Sequence, residues 1–600
     1  MKLPTKKAGT AFVLLSGALA LSAPAGCFAL GAGLDPPLQQ FYYPTSVLTS
    51  PGGRTLYVVN SDFDIQYTGG TVQAVDLVSL RACAGRLRDD LARGSSAENA
   101  CRDVGLEIND NSVLVPGPCS PIPVDGPIAC TLGDDPATEE KEGTVLGPLV
   151  RSSRVIGAFA SSAALVRNPD ESATGARLFV TVRGDPSVTY FDTTDDARDP
   201  EADAFRLECQ PFGPGDPALG GRCDRVARVG DSPYESAREL TLPVEPVGIA
   251  AGDDGRSVVT VHLTGAAASL VTNEWDGHPA LEHILSGLSD GPTDVAPIPT
   301  PAIVGASAQL ADATAALADA TADPSKRTAA LDFRPGFLVT YRASRNVDIV
   351  RTYDDSESTL QRHFLQRVAS FPVLTNADGS DSRGLAVDGT ERRACEAPCE
   401  PAHRTCTEAC ACADGDDAEA CATCRTTCAE SYLACARPCA DIPIGVYVAN
   451  RAPASLLVGK LETKLVEEGG QITSALDTLS LTDMVPLTAG PSRVVVGDVL
   501  DEDGRRVPRV FVVSFDSRYL VIYDPHLRRV EAALRTGRGP HALAVDIAPD
   551  QGETRGHALL YVAHFTDSYI GVVDLDTRNA RTYGSMFASI GQPTPPKESN

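Results

Sequence analysis

An all-β chain built from one repeated four-stranded unit is predicted by three observations. Short runs rich in Val, Leu, Ile and Tyr, bounded by Gly, Asp or Ser, recur as antiparallel meander strands do. The clearest set lies in residues 539–578, with HALAV, LLYVAH and IGVVDL. A ten-residue step then links the end of one strand to an aspartate closing the next: His564 to Asp574, Ser514 to Asp524 and Val182 to Asp192. From Asn60 to Asp76 the step is six residues longer. Finally, several copies are introduced by an inner strand with Pro near its start (Pro44, Pro246, Pro491, Pro540) and by a Gly-Arg turn, as at Gly53-Arg54, Gly255-Arg256 and Gly504-Arg505. With weaker copies ending at Val261, Tyr341 and Asn450, seven are counted. Four strands per repeat of roughly 40 to 45 residues are the signature of a propeller blade. The expected fold is a seven-bladed β-propeller with helical insertions, one of them a disulfide-laced α-helical hairpin.

In chain order, residues 1–26 read as an export signal. Lys2, Lys6 and Lys7 precede the apolar run from Ala11 to Leu21, which is too short to span a bilayer. The run SAPAGC ends at Cys27 and resembles the lipobox of bacterial lipoproteins, with Pro24 standing where Leu is usual. Acylation of Cys27 and plain cleavage near Ala25 both remain open. The expected location is the bacterial cell envelope, anchored at the outer membrane or free in the periplasm or outside.

Residues 27–40 read as a tether, and 41–591 as the propeller. Blade 1 is expected near 42–77, followed by an insertion (78–150) with a helix near 79–93 and four cysteines, Cys83, Cys101, Cys119 and Cys130. Blade 2 (154–192) leads into an acidic, solvated exit loop within a second insertion (193–244), where Cys209 and Cys223 flank a Gly/Pro loop and are expected to pair. Blade 3 (245–271) precedes an insertion (273–328) whose Ala-rich run 306–322 is a helix by propensity. Blades 4 (329–354) and 5 (384–460), an insertion (462–489) and blades 6 (490–524) and 7 (539–578) follow. Residues 580–590 offer a last outer strand, and 592–600 a disordered tail.

These residues resemble the YVTN-repeat, YncE-like family of seven-bladed propellers, in which a Pro-led inner strand, a Gly-Arg or Gly-Lys turn, a Tyr-Val-x-Asn strand and a Val-x-Asp strand recur. YVVN, VIYD and VVDL in blades 1, 6 and 7 carry the likeness best, and it covers about half the chain.

Blade 5 holds the sharpest local signal. Cys395, Cys399, Cys406 and Cys410 are spaced C-x3-C-x6-C-x3-C, and Cys424, Cys428, Cys435 and Cys439 repeat the spacing. At about 100° per residue each set stays within about 60° of one helix face. The pattern is palindromic, so an antiparallel hairpin over 394–440 matches Cys395 with Cys439, Cys399 with Cys435, Cys406 with Cys428 and Cys410 with Cys424, while Cys412 and Cys421 close its loop end. The arrangement resembles that of the alpha-hairpinins. With almost no apolar core of its own, such a hairpin depends on its disulfides. A metal reading rests on the lone CxxC at Cys421 and Cys424, whereas zinc ribbons use two; no metal or cofactor is expected. The hairpin is expected as a knob on the face away from the ligand side.

The formal charge is −27, which disfavours nucleic acid and anionic lipid as partners. A monomer is expected, touching a membrane only through Cys27. The loops after each second strand and before each first strand surround the channel. Arg183, His262, Arg342 and Arg451 are the candidates from the first set, with His564 one position early; Arg493 and His541 come from the second. Guanidinium forks suit carboxylate or phosphate, so a protein partner or small anionic ligand is expected. The bland alternative is local ion pairing to Asp62, Asp185 and Asp567. Asn60, Asp62 and Asp64 offer oxygens for Ca2+ without the spacing of an EF-hand loop. The competing function is hydrolysis: some relatives in the resembled family are lactonases, for which His541, His262, Arg183 and Arg342 would be the matching residues.

Overall fold

A computed structural model describes residues 33–93, 119–121, 128–130, 149–209, 219–233, 238–355, 362–373, 381–410, 412, 417–468, 471–552 and 555–591. The segment expected as an export signal, Cys27, Cys101 and the tail 592–600 lie outside the described residues.

Seven antiparallel four-strand meanders follow one another, and each takes its four strands in chain order. Their first strands are Pro44–Thr49, Ala160–Arg167, Pro246–Ala251, Pro292–Ile298, Ser382–Asp388, Pro491–Leu500 and Pro540–Ala548. Neighbouring first strands lie side by side in chain order, and the last returns to the first. The chain is a closed seven-bladed β-propeller.

One register repeats. Tyr57, Phe179, Phe511 and Tyr561 each sit three residues before the end of a second strand, and all are buried. They fill the apolar layers between successive blades. A fully buried side chain of this size stabilises the fold by roughly 1.5–3 kcal/mol. The recurring aspartate that closes the third strand builds the turn behind it: Asp524 accepts the N–H groups of His526 and Leu527, each at 2.9 Å, and Asp574 accepts from Thr582 Oγ1 and Asn579 Nδ2.

Several expected boundaries shift. Residues 273–328 contain the fourth strand of blade 3 (Ala280–Ser286) and the first of blade 4, so only the segment around the helix Ala302–Thr321 is inserted. Residues 462–489 are no insertion: Ala454–Glu468 and Gln471–Pro486 form one long hairpin, the outer half of blade 5. The acidic exit loop after blade 2 is not solvated throughout, because Asp195 and Asp196 are buried. Asp196 accepts hydrogen bonds from Ser50 Oγ (2.6 Å) and from Gly52 N and Arg54 N, and so caps the first turn of blade 1.

Helices α1 (Leu77–Arg93), α2 (Ala302–Thr321), α3 (Thr390–Glu396), α4 (Cys399–Ala409) and α5 (Ala418–Ala440) leave the blades at the same end, where first strands finish and third strands finish. Five disulfides ladder the helical hairpin: Cys395–Cys439, Cys399–Cys435, Cys406–Cys428, Cys410–Cys424 and Cys412–Cys421. Asp417 caps α5 by accepting from Glu419 N and Ala420 N. The hairpin is not a free-standing knob. Ala436 and Ala440 of α5 pack with Tyr432 against Ile303 and Ala306 of α2, and Leu465 and Ile472 from the tip of the long blade 5 hairpin join this cluster. The Cys209–Cys223 disulfide sits in the apolar layer of blade 2. Cys83 on α1 is also disulfide-bonded.

Blade 7 takes its outer strand, Met586–Ile590, from the end of the chain. The insertion expected after blade 1 lies inside it, between the third strand and the fourth (Val150–Val155), so blade 2 begins at Ala160 and not at 154. A short hairpin from that insertion (Cys119–Pro121 and Ile128–Cys130) adds to the outer strand of blade 7 in parallel, and α1 lays Leu80, Ala84 and Leu87 on the same layer as Leu559 and Phe587. Arg81 of α1 reaches Asp546 of blade 7 at 3.1 Å.

Candidate functional site

Every first strand opens with a β-bulge. In blade 1 Pro44 pairs with Asn60 and Ser46 with Val59, so Thr45 is left over. The same skip leaves Ser161, Val247 and Thr293 over in blades 2 to 4. In blades 5 to 7 the extra residues are Arg383, Ser492 and His541. A bulge turns the extra side chain out of the ladder. All seven of these side chains line one cavity of about 310 Å³ at the propeller mouth.

A second ring comes from the residue after each second strand. Ser61, Arg183, Leu263, Arg451, Phe515 and Phe565 contribute from blades 1, 2, 3, 5, 6 and 7. Arg342, the blade 4 equivalent, is exposed and does not line the cavity. Arg493 and the loop aromatics Phe63 and Phe159 complete the wall.

Of the candidates read from sequence, Arg183, Arg451, Arg493 and His541 therefore meet at the mouth, whereas His262, His564 and Arg342 do not. The two histidines fail by one position. Each is the last residue of its second strand, paired with the Pro that opens the first, and the alternation of a strand turns it into the blade. His262 is fully buried with Nε2 2.8 Å from Ser269 Oγ, and burial pushes it down to about 4. His564 stacks on Tyr569 at 4.1 Å and is pushed down by burial to about 3. They occupy the slot in which Asn60 binds Thr71 Oγ1 and Asn450 binds the Pro453 carbonyl. Arg383 was missed, although its place directly before Gly384 at the head of blade 5 was legible.

Each cavity-lining guanidinium is held by a carboxylate. Arg183 pairs with Glu245 at 2.5 Å, Arg451 with Asp516, Arg383 with Asp381 and Arg493 with Asp294 at 3.1 Å. These are not the partners expected: Asp185 pairs with Arg228 and Asp567 with Arg538, while Asp62 accepts from Tyr67 N. Of the oxygens of Asn60, Asp62 and Asp64, the Asn60 amide oxygen accepts from Tyr42 N and the Asp64 carboxylate from Tyr42 Oη. His541 donates Nδ1–H to the Thr45 carbonyl at 3.0 Å, which leaves Nε2 as an acceptor. Burial, helped by the nearby Arg493 charge, lowers it to about 4, so the ring is neutral at pH 7.

One arc of the mouth is aromatic. Phe63 lies edge to face with Phe159 (5.8 Å) and with Phe565 (5.1 Å), and Phe565 is 6.3 Å from Phe515. Phe63 keeps 49% of its surface exposed.

No family model matches the sequence, and no curated protein matches it. Solved structures do. The chain is similar to the Kuenenia stuttgartiensis hydrazine synthase at 11% identity, over 91% of this chain and 99% of that one, with a TM-score of 0.37. It is similar to the periplasmic gluconolactonase PpgL of Pseudomonas aeruginosa at 15% identity, over 72% and 86%, with a TM-score of 0.35. A third is a putative 6-phosphogluconolactonase from Bacteroides uniformis, at 10% identity over 83% and 86%, with a TM-score of 0.35. The chemistry of the mouth is read from its own side chains.

Proposed function

We propose that the propeller mouth is a receptor site for a small anionic ligand and that the protein works as an exported binding module. The observation that carries this reading is the convergence of Arg183, Arg383, Arg451 and Arg493 on one cavity, in a chain of net charge −27. A guanidinium has five N–H donors in a planar fork. A carboxylate behind it occupies one or two of them, fixes its direction and leaves the rest for a ligand. Such a site discriminates by geometry, because the paired carboxylates cancel most of the long-range attraction. Six disulfides among the described residues support an oxidising compartment, and acylation of Cys27 would attach the chain to a membrane.

Titration calorimetry of the full chain against small carboxylates and phosphates tests this. Saturable heat is expected, and it should be lost when Arg383 and Arg451 are both replaced by Gln. Retention of full affinity in that variant, or no heat with any anion, overturns the reading.

The lactonase-like alternative is favoured by one feature. His541 is neutral with its tautomer fixed by Thr45, so Nε2 is free to take a proton from water as the water attacks a lactone carbonyl. The ring C–O bond would then break, the departing alkoxide taking the proton back from Nε2, to give a hydroxy acid whose ionised form suits the arginines. A pKa near 4 makes it a weak base at neutral pH. Turnover of a sugar lactone that disappears in His541→Ala would establish the hydrolase over the binding module.

A further inference from the structure

On the reading that the mouth binds a small anion, we propose that the anion is an aromatic monocarboxylate whose ring lies against the arc of Phe63, Phe565 and Phe515 and whose carboxylate meets Arg383 and Arg493. The two rings of lining residues are not uniform around the channel. At the position following the second strand, blades 6 and 7 carry Phe515 and Phe565 where blades 2 and 5 carry Arg183 and Arg451. Phe63 adds to the apolar side from the loop of blade 1, half exposed although apolar neighbours stand within 6 Å. An aromatic face left open beside half-buried ones is a surface suited to a flat apolar ligand. The adjoining side, in blades 5 and 6, supplies the guanidiniums of Arg383 and Arg493. The ligand therefore has one flat apolar end and one planar anionic end.

Four hydroxyls of the wall are turned onto the backbone. Thr45 Oγ1 donates to the Val59 carbonyl, Ser161 Oγ to Pro246, Thr293 Oγ1 to Ser382 and Ser492 Oγ to Val513. A hydroxyl has one proton to give, so these four present lone pairs and carbon to the cavity and no donor. Besides the hydroxyl of Ser61, the side-chain donors toward the cavity are those of the arginines, which suit a carboxylate. A sugar acid would instead set hydroxyls against the phenyl rings of the arc, and unmet polar groups weaken binding. Size agrees: about 310 Å³ is at the small end of ligand sites, which run roughly from 300 to 1,000 Å³, and fits a single ring with a short acid chain.

The test is titration calorimetry of the full chain with 3-phenylpropanoate, butanoate, 3-phenylpropanol and gluconate. 3-Phenylpropanoate should bind at least about tenfold more tightly than each of the other three. Phe63→Ala, a change at an exposed side chain, should weaken 3-phenylpropanoate about tenfold and leave butanoate unchanged. Gluconate binding as tightly as the aromatic acid, or Phe63→Ala without effect, overturns the aromatic assignment and leaves the anion site standing. Equal binding of 3-phenylpropanol and 3-phenylpropanoate, or no binding of either acid, overturns both.

Discussion

Arg493 of blade 6 places Nη1 3.1 Å from Asp294 Oδ2 of blade 4, and the same oxygen accepts Leu385 N of blade 5 at 3.0 Å. One carboxylate, 5% exposed, thus ties three consecutive blades together beneath the mouth.

Arg493→Ala leaves that carboxylate buried without its counter-charge, a change that costs about 3–5 kcal/mol. Denaturant unfolding should register it. The double variant Asp294→Asn, Arg493→Gln removes both charges and should recover much of the stability while anion binding stays weak. Equal stability of Arg493→Ala and the parent would show that the pair does not hold the blades.

Acid should loosen the fold through His262 and His564. Their folded values, about 4 and about 3, lie below the usual 6.5 of the unfolded chain. Between 6.5 and those values the unfolded state binds more protons, so stability falls as pH drops through that window. At pH 5 each histidine costs on the order of 2 kcal/mol relative to neutral pH. The variant His262→Asn, His564→Asn should show a smaller loss of Tm from pH 7 to pH 5. Parallel losses in parent and variant would refute the assignment.

Removing the outermost rung of the hairpin, by Cys395→Ser with Cys439→Ser, should cost about 2–4 kcal/mol. Because α3 to α5 hang from the face opposite the mouth, ligand affinity should not change. Limited proteolysis should show new cleavage between residues 389 and 443 while the blades stay intact. Lost ligand binding with an intact propeller would mean that the hairpin and the mouth communicate.

The repeat of strands was legible because an aromatic or aliphatic residue recurs three positions before the end of every second strand, as at Tyr57, Phe179 and Tyr561. The long hairpin of blade 5 was not recognised, although Leu461, Thr463 and Leu465 alternate with Glu462 and Lys464 as a half-buried strand does. Its polar outer residues concealed it. At the mouth, the difficulty was a matter of one residue. Strand ends set which side chain faces the channel, and YVAH gives no sign that His564 pairs with Pro540 while Phe565 turns inward. The bulge behind the opening residue of each first strand is a backbone event with no residue type of its own: Thr, Ser, Val, Arg and His all occupy it. The packing of α5 on α2 joins segments far apart in sequence, and small Ala faces allow it without marking it.

The closure between blades 7 and 1 has a consequence for the order of the chain. Since neither blade borrows a main strand from the other and Phe41 already rests against Gly591, a chain with residues 41 and 591 joined by a short linker, and new ends cut into the connection between blades 6 and 7 (residues 536–539), would keep every meander whole. Such a permuted protein should melt within a few degrees of the parent. It would move α1 and the short hairpin of the blade 1 insertion from a clasp across the chain ends to a brace inside a continuous chain.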